Sequence, residues 1–405
     1  MKLAIVTAYP PSKVTLNEYA YHLVKSFRQK EKITEIILLT DVTTEGKDVH
    51  FTESGCKITI HECWKFNSYT NIITVIKAVN VAQPDAVLFN LQFMKFGNKK
   101  IPAALGLSLP LICKLKQIPT IVLLHNILEQ VDLESAGFTS NKIAQKICNF
   151  FGTSLTKLIL KADLVAVTMQ KYVTTLEEKY KKNTIKMIPH GTFEIPDNPV
   201  HKLPNGPMKI MAFGKFGTYK KVESMIEAIE KVRKSSGLDL EIVIAGTDNP
   251  NVSGYLANVQ ENYKHVPQLT FTGYVQENEV QTLFNECAVV VLPYTSTTGS
   301  SGVLHQAGSY GKAIVMPNLG DLSSLIKDEG YRGEYFEPES VDSLARAIEA
   351  IVTNKSYRIE LGQANYIAAT AFPMERITDI YLEEFQLIIN QKEAIGISYS
   401  KISVI

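Results

Sequence analysis

The sequence predicts an α/β protein made of two doubly wound, parallel-sheet domains, and three observations predict it. Short, continuously apolar runs recur between helix-like stretches, the mark of strands buried on both faces of a parallel sheet. The segment Phe193–Pro207, rich in proline, asparagine and glycine, interrupts that alternation near the middle, after which the pattern restarts. The chain has 405 residues, too many for one ordinary core. Ligands of open α/β sheets sit outside the carboxyl ends of the strands, so two such domains imply a central cleft with two ligands opposite one another. That arrangement suits transfer of a group from a donor to an acceptor.

Taken in order, Leu3–Val6 is a fully apolar strand, Ala8–Ser12 a loop and Leu16–Phe27 a helix. Strands are expected at Ile36–Leu39, Cys56–Ile60, Ala86–Phe89, Thr120–Leu124, Leu164–Val167 and Lys186–Ile188. Helices are expected near Ile73–Val81, Ala103–Lys116, Lys142–Lys161 and Tyr172–Lys181. Beyond the linker, strands fall at Lys209–Phe213, Leu240–Ala245, Leu269–Phe271, Val289–Leu292 and Ala313–Met316, with a helix at Lys221–Arg233 and others between. A last helix pair, Val341–Thr353 and Pro373–Gln391, closes the chain, and the tail from Ala394 has no clear period. The expected domains are residues 1–195 and residues 208–370.

Hydrophobic residues make up 45% and charged residues 20%, as in a soluble globular protein. The formal net charge of +1 implies no nucleic-acid partner. No basic segment precedes the first apolar run, so no signal peptide is expected, and the apolar stretches fall far short of the ~20 residues that span a bilayer. The five cysteines are scattered without a CxxC metal pattern, which fits reduced, buried thiols in a cytoplasmic protein; Cys56 and Cys63 are expected to stay free. No His/Asp cluster suggests a metal.

The stretch Val289–Pro317 organises the second half. An apolar run ends at Pro293, eight Ser/Thr/Gly residues follow from Thr295 to Gly302, and helix-like sequence, Val303–Tyr310, is stopped by Gly311. A helix opening from such a loop presents unpaired N–H groups and its positive dipole end, which suits a phosphate. An ordinary strand–loop–helix corner has the same shape, so the cations matter. Strand Lys209–Phe213 delivers Gly214 and Lys215 into a loop, and Lys220-Lys221 opens the next helix. Lysines at this edge, facing Thr298–Gly302, point to diphosphate binding. Gly246 and the Gly273-Tyr274-Val275 run follow two further strands, where glycine lets a ligand approach the backbone or simply makes a turn.

These motifs resemble the donor domain of a retaining glycosyltransferase of the GT-B fold, glycosyltransferase family 4 (glycosyl transferases group 1). The family's strand, Gly-Arg, Lys-Gly and helix are matched by Phe213-Gly214-Lys215 and Lys220-Lys221-Val222. Phe271–Val275 is similar to its nucleobase loop, Gly311-Lys312-Ala313 to its Gly-Lys-Pro turn, and Gly333–Ser340 to its late Gly…Pro segment. The likeness covers essentially the whole chain, is most specific over residues 208–350, and implies that a helix at about 373–392 crosses back to pack on the first domain. It implies a nucleotide diphosphate sugar as co-substrate, no required cofactor or metal, and a hydroxyl acceptor. It implies donor contacts from Thr298, Ser300, Ser301, Gly302, Val303 and Gln306, beside Gly214, Gly246, Gly273, Tyr274 and Val275. Three departures stand out: Lys215 replaces an arginine, Lys221 a glycine, and the family's paired glutamates become Thr298 and Gln306. Ser301–Leu304 resembles the Ser-Gly-Val-Leu run of members that also lack the first glutamate.

In the first half, Tyr9–Tyr19 stands where the family has a Gly-Gly loop, with Val14-Thr15 or Thr15-Leu16 in its place. Lys13, Thr15 and Asn17 are acceptor candidates there, with Asn90 and Gln92 after another strand and Asn126 and Glu129 after a third. His125 ends an apolar strand, where a satisfied core histidine is common; the resemblance places it near the reacting sugar and makes it, with Lys215 and Lys220, a catalytic candidate. His190 resembles the family's Pro-(Asn/His)-Gly loop and reads as structural. Lys13, Lys95, Lys99 and Lys100 favour an anionic acceptor such as a sugar phosphate, as in sucrose-phosphate synthase. Phe96–Leu109 sets Lys99-Lys100 before an apolar helix that either touches a membrane surface or is buried, the near-neutral charge arguing against the membrane. The expected activity is retaining transfer from a nucleotide diphosphate sugar, UDP favoured over GDP or ADP. The rivals are a lipid- or polysaccharide-directed transferase, a nucleotide-sugar epimerase and a non-catalytic subunit.

Overall fold

A computed structural model describes residues 1–12, 14–43, 49–127, 142–249, 252–296, 300–394 and 396. The chain forms two compact units: residues 1–189 with 374–405, and residues 190–373. The first strands and helices are β1 (Lys2–Val6), α1 (Asn17–Phe27), β2 (Glu35–Asp41), β3 (Val49–Glu53), β4 (Cys56–Trp64), α2 (Asn71–Ala82) and β5 (Ala86–Leu91). Then come α3 (Lys100–Leu107), α4 (Leu109–Leu115), β6 (Thr120–Leu124), α5 (Lys142–Ile159), β7 (Leu164–Val167), α6 (Gln170–Tyr180) and β8 (Ile185–Met187). They build an eight-stranded sheet in the order β3-β4-β2-β1-β5-β6-β7-β8.

The second unit opens with β9 (Met208–Phe216), α7 (Glu223–Ser236), β10 (Leu240–Asp248), α8 (Tyr255–Asn262), β11 (Leu269–Gly273) and α9 (Glu277–Glu286). It continues with β12 (Cys287–Val291), α10 (Gly302–Ser309), β13 (Ala313–Pro317), α11 (Gly320–Glu329), β14 (Glu334–Phe336), α12 (Val341–Val352) and α13 (Lys355–Thr370). Its six-stranded sheet runs β11-β10-β9-β12-β13-β14, every pair parallel. The chain then returns to the first unit as α14 (Met374–Ala394).

The continuous apolar runs form the central strands because both faces are covered: Leu3, Ala4, Ile5 and Val6 of β1 are wholly buried, as are Val289, Val290 and Val291 of β12. Helix α12 buries Leu344, Ile348 and Ile351 in the same core cluster as Met225, Ile226 and Ile229 of α7. Each such side chain contributes roughly 1.5–3 kcal/mol by leaving water. In both sheets the order reverses beside the first strand. β1 pairs with β2 on one side and β5 on the other, and β9 with β10 and β12. Each reversal leaves a crevice at the carboxyl ends, between the loops after β1 and β5 and between those after β9 and β12.

Several expectations need correction. The first sheet is not wholly parallel: β3 pairs antiparallel with β4. Val49–Glu53 carries no apolar face, being mostly exposed, and the hairpin is made by Ser54 and Gly55, both at positive φ. The single helix expected at Ala103–Lys116 is two. Ser108 ends the first and turns its hydroxyl onto Leu105 O at 2.8 Å, and Pro110 sits in the first turn of the second, where its missing N–H costs nothing. Strand β9 runs through Lys215 to Phe216, so Lys215 lies in the strand rather than in a loop, and the helix after it starts at Glu223, beyond Lys220-Lys221. The closing helix pair is joined by α13, capped by Asn354 through Tyr357 N, and its mixed polar sequence hid its period. Cys56, Cys63, Cys113 and Cys287 are buried as thiols.

Candidate functional site

The crevice of the second unit is built by β9 and β12. After Phe216 the chain folds back: Gly217 N donates to Lys220 O at 2.9 Å, and Lys221 N to Pro293 O at 3.0 Å. Lys220 also forms an antiparallel bridge with Tyr294. The Lys220 side chain is thereby only 8% exposed, its ammonium 4.9 Å from the Tyr294 ring centre and 5.9 Å from that of Tyr219. Aromatic faces offset part of the cost of burying that charge without neutralising it. Its Nζ lies against Gly214, at φ +124°, where a Cβ would come within 2.8 Å of the ammonium and 3.8 Å of Val303 Cγ2. Gly214, Lys220 and Val303 therefore converge on one spot.

Val303 belongs to the first turn of α10. Ser301 caps that helix, its hydroxyl accepting from Leu304 N at 3.4 Å and sharing a hydrogen bond with Tyr294 OH at 3.0 Å. The N–H groups of Gly302 and Val303 have no acceptor among the described residues. Two unpaired N–H groups, the helix dipole and a buried ammonium make an anion site.

The other donor-side candidates are spread differently. Lys215 is half-buried in β9, opposite Thr247 of β10. Gly246, at φ +138°, sits where a Cβ would lie 1.8 Å from Gly214 O, so close strand approach requires this glycine. Gly273 has open space around it and Tyr274 is 66% exposed, with Val275 half-buried, at the end of β11, which β10 separates from β9. Gln306 lines a small pocket, with room for little more than a water molecule, together with His190, Phe193, Glu194, Gly302 and His305. Thr298 lies outside the described residues.

Sequence reasoning missed the residues behind α10. His305, 3% exposed, engages Ser300 Oγ through Nε2 at 2.8 Å and Tyr331 OH through Nδ1 at 2.9 Å. The Glu329 carboxylate oxygen is 3.5 Å from the same Nδ1. His190 stacks flat on His305, ring centres 4.9 Å apart and planes within 2°, and its Nδ1 is 2.9 Å from Gly191 O. Burial pushes the His190 pKa down to about 4 and holds His305 well below its usual value, with His190 adding to the effect. Burial, with Asp328 nearby, raises Glu329 to about 8. The signal available in sequence was a histidine beside Gln306 in the organising stretch; nothing there pointed to Tyr331.

The first unit has the same crevice, filled differently. Asn90 Nδ2 donates to Thr7 Oγ1 at 3.0 Å, so its Oδ1 accepts from His125 Nε2 at 2.7 Å, and the Tyr19 ring meets the His125 ring edge-on at 4.6 Å. His125 and Asn90 thus come together; Gln92 and Asn126 are half-buried nearby in sequence, and the buried Asn126 Oδ1 has no hydrogen-bond partner among the described residues. Asn17 spends its amide on Ser12 O at 2.7 Å. Leu16 takes φ +74°, a left-handed conformation that glycine adopts without strain. Lys95, expected to face an acceptor, is instead 1% exposed, donating to Thr15 O at 3.0 Å with the Trp64 ring 5.5 Å away. Burial drives its pKa down to about 7, partly offset by Asp41. Lys100 lays its ammonium 4.6 Å from the Phe151 ring centre. Lys13 and Glu129 lie outside the described residues.

Residues 207–354 match the family described as Glycosyl transferases group 1, so the second unit carries a glycosyltransferase domain. An uncharacterized glycosyltransferase of Haemophilus influenzae is 21% identical over 248 residues, 60% of this chain; the chain spans 65% of that relative's length. The sucrose-phosphate synthase of Thermosynechococcus elongatus superposes with a TM-score of 0.71 at 16% identity, covering 97% of this chain and 100% of that one. Anabaena HepE, solved in complex with UDP and glucose, gives 0.65 at 14% identity over 96% and 100%. At such identities the two structures show a shared fold, the GT-B glycosyltransferase fold. No helix among the described residues is long and apolar enough to cross a membrane.

Proposed function

We propose that this protein is a retaining glycosyltransferase that moves a sugar from a nucleotide diphosphate sugar to a hydroxyl acceptor. The observation that carries the reading is the convergence of Gly214, the Lys220 ammonium and the first turn of α10, inside the matched domain. A diphosphate leaving group gathers negative charge as the sugar departs. A fixed ammonium and helix N–H groups stabilise that charge without reorganising, which lowers the barrier. The acceptor oxygen bonds to the anomeric carbon as the bond to the phosphate oxygen breaks, and the acceptor's proton passes to that phosphate oxygen. Attack on the face the phosphate leaves retains configuration and needs no protein nucleophile. Lys215 adds positive charge at the same strand end. The second unit is the donor domain and the first the acceptor domain, with His125, fixed by Asn90, near the reacting sugar. UDP is the favoured nucleotide, which HepE binds, with GDP and ADP as alternatives; a sugar phosphate is one acceptor class in keeping with the fold of sucrose-phosphate synthase.

The test is a thermal-shift panel of UDP, GDP, ADP and their sugars, with Lys220→Met and Lys215→Ala as controls. Selective binding stabilises the fold by about 2.7 kcal/mol at roughly a hundredfold excess over Kd. One nucleotide should shift the wild type and fail to shift Lys220→Met, which then directs an acceptor screen. No shift with any nucleotide overturns the reading and favours a non-catalytic subunit.

A further inference from the structure

We infer that His305 is a positioning residue: held by Tyr331, its imidazole turns the Ser300 hydroxyl outward so that the hydroxyl donates to the diphosphate of the donor. The inference rests on the glycosyltransferase reading of the same site. It follows from counting protons along the chain Tyr331 OH, His305 Nδ1, His305 Nε2 and Ser300 Oγ, whose links are 2.9 Å and 2.8 Å long. His305 is buried against His190 and neutral, so its ring carries one N–H. The directions of the two outer hydrogen bonds are then locked together. If Tyr331 donates to Nδ1, Nε2–H donates to Ser300 Oγ, and the serine's own proton is free to point away from the imidazole. If Nδ1 holds the proton, Ser300 must donate inward and can only accept from a ligand. A diphosphate offers acceptors, so only the first state serves it.

Three features favour that state. The Tyr331 hydroxyl is nearer to Nδ1 than Glu329 is, 2.9 Å against 3.5 Å. Burial raises the Glu329 pKa to about 8, so near neutral pH the carboxyl is mostly uncharged and draws a proton onto Nδ1 less than a carboxylate would. The tyrosine ring is wedged in place: a Cβ at Gly308 would lie 2.6 Å from Tyr331 Cε1, so α10 has a glycine where that ring crosses it. Ser300 is also the hydroxyl left over at this helix start. Ser301 is occupied by Leu304 N and Tyr294 OH, whereas Ser300 is half-buried one residue before the cap.

The experiment is calorimetric titration of UDP, with GDP and ADP alongside, into the wild type, Ser300→Ala, Tyr331→Phe and the double variant. Each single change should weaken binding about tenfold, the worth of one hydrogen bond to a charged group. The double variant should bind no more weakly than either single variant, because both remove the same contact. His305→Gln, which keeps an N–H near the Nε2 position, should bind within about threefold of wild type, and His305→Leu should lose about tenfold. A merely structural histidine would show neither the rescue nor the coupling. Wild-type affinity in Tyr331→Phe, or losses that multiply in the double variant, overturns the inference while leaving the glycosyltransferase reading intact. A wild type that binds none of the three nucleotides overturns both.

Discussion

The crevices of the two units share a topology and differ in what fills them. In the second, glycines at 214 and 302 open the backbone, and Lys220 is buried with two aromatic rings near its ammonium, beside helix N–H groups that have no acceptor among the described residues. In the first, the loop after β1 is made of bulky residues, and Lys95 spends a hydrogen bond on Thr15 O, holding Leu16 in the left-handed conformation. Both lysines are nearly inaccessible, yet one sets its ammonium beside Gly214 and the first turn of α10 and the other ties down a loop. Sheet order decides where a crevice forms, and the partners of the nearest cation decide whether it can receive an anion.

The largest expected effect tests that distinction directly. Lys220→Met should reduce kcat by about a hundredfold to a thousandfold, the usual cost of losing one oxyanion stabiliser, with the fold intact by circular dichroism. Turnover within a few-fold of wild type would erase the contrast between the crevices. Next is Gly246→Ala. Its φ of +138° and the 1.8 Å approach of Gly214 O leave no room for a methyl group, so urea unfolding should show a loss of at least about 3 kcal/mol.

A third prediction sets the units against each other in pH. Lys95 loses its proton near pH 7 when folded but holds it to about 10.5 when unfolded. The unfolded chain then binds more protons, so the first unit gains stability as pH rises through that window. Glu329 keeps its proton to about 8 when folded and releases it near 4.5 when unfolded, so the second unit loses stability over that range. From about pH 7 to about pH 8 the two should move in opposite directions by about 1 kcal/mol each. Hydrogen exchange of the slowest amides in β1 and β9 reads this, after correction for intrinsic rates. Lys95→Met should abolish the rise and Glu329→Gln the fall; parallel movement of the two units would refute the assignment. The smallest effect is Leu16→Gly, which relieves left-handed strain but frees the unfolded chain. Its net gain should stay under about 1 kcal/mol by thermal melting.

The strands were the most legible part of the sequence, because a strand buried on both faces must be apolar where it is covered, as Leu3–Val6 of β1, Ile121–Leu124 of β6 and the whole of β12 are. Strand β3 was hidden because an exposed edge hairpin imposes no apolar pattern, and the break at Ser108 because buried leucines, Leu107 and Leu109, stand on both sides of it. Gly214, Lys220 and Val303 could be assigned to one site because topology brings strand ends together whatever their separation in sequence. The partners of a buried group were not readable. Lys95 looked like a surface cation, and His305 drew no attention, because burial and hydrogen-bond geometry depend on residues such as Thr15, Trp64 and Tyr331 that lie far along the chain.

The return of the chain into the first unit has a consequence for its manufacture. Thr192 N donates to Phe372 O at 2.9 Å, so the second unit begins and ends at nearly the same point and can close as a loop on its own. The first unit cannot close so early. Its α1 awaits α14, where Ser26 meets Thr378 at 2.8 Å and the rings of Phe27 and Tyr381 lie 6.4 Å apart. On the ribosome that helix emerges only after the whole second unit. Until then the buried side of α1 stays wet, and a nascent chain arrested before Met374 should hold a finished second unit tethered to an unfinished first, a ready target for a chaperone.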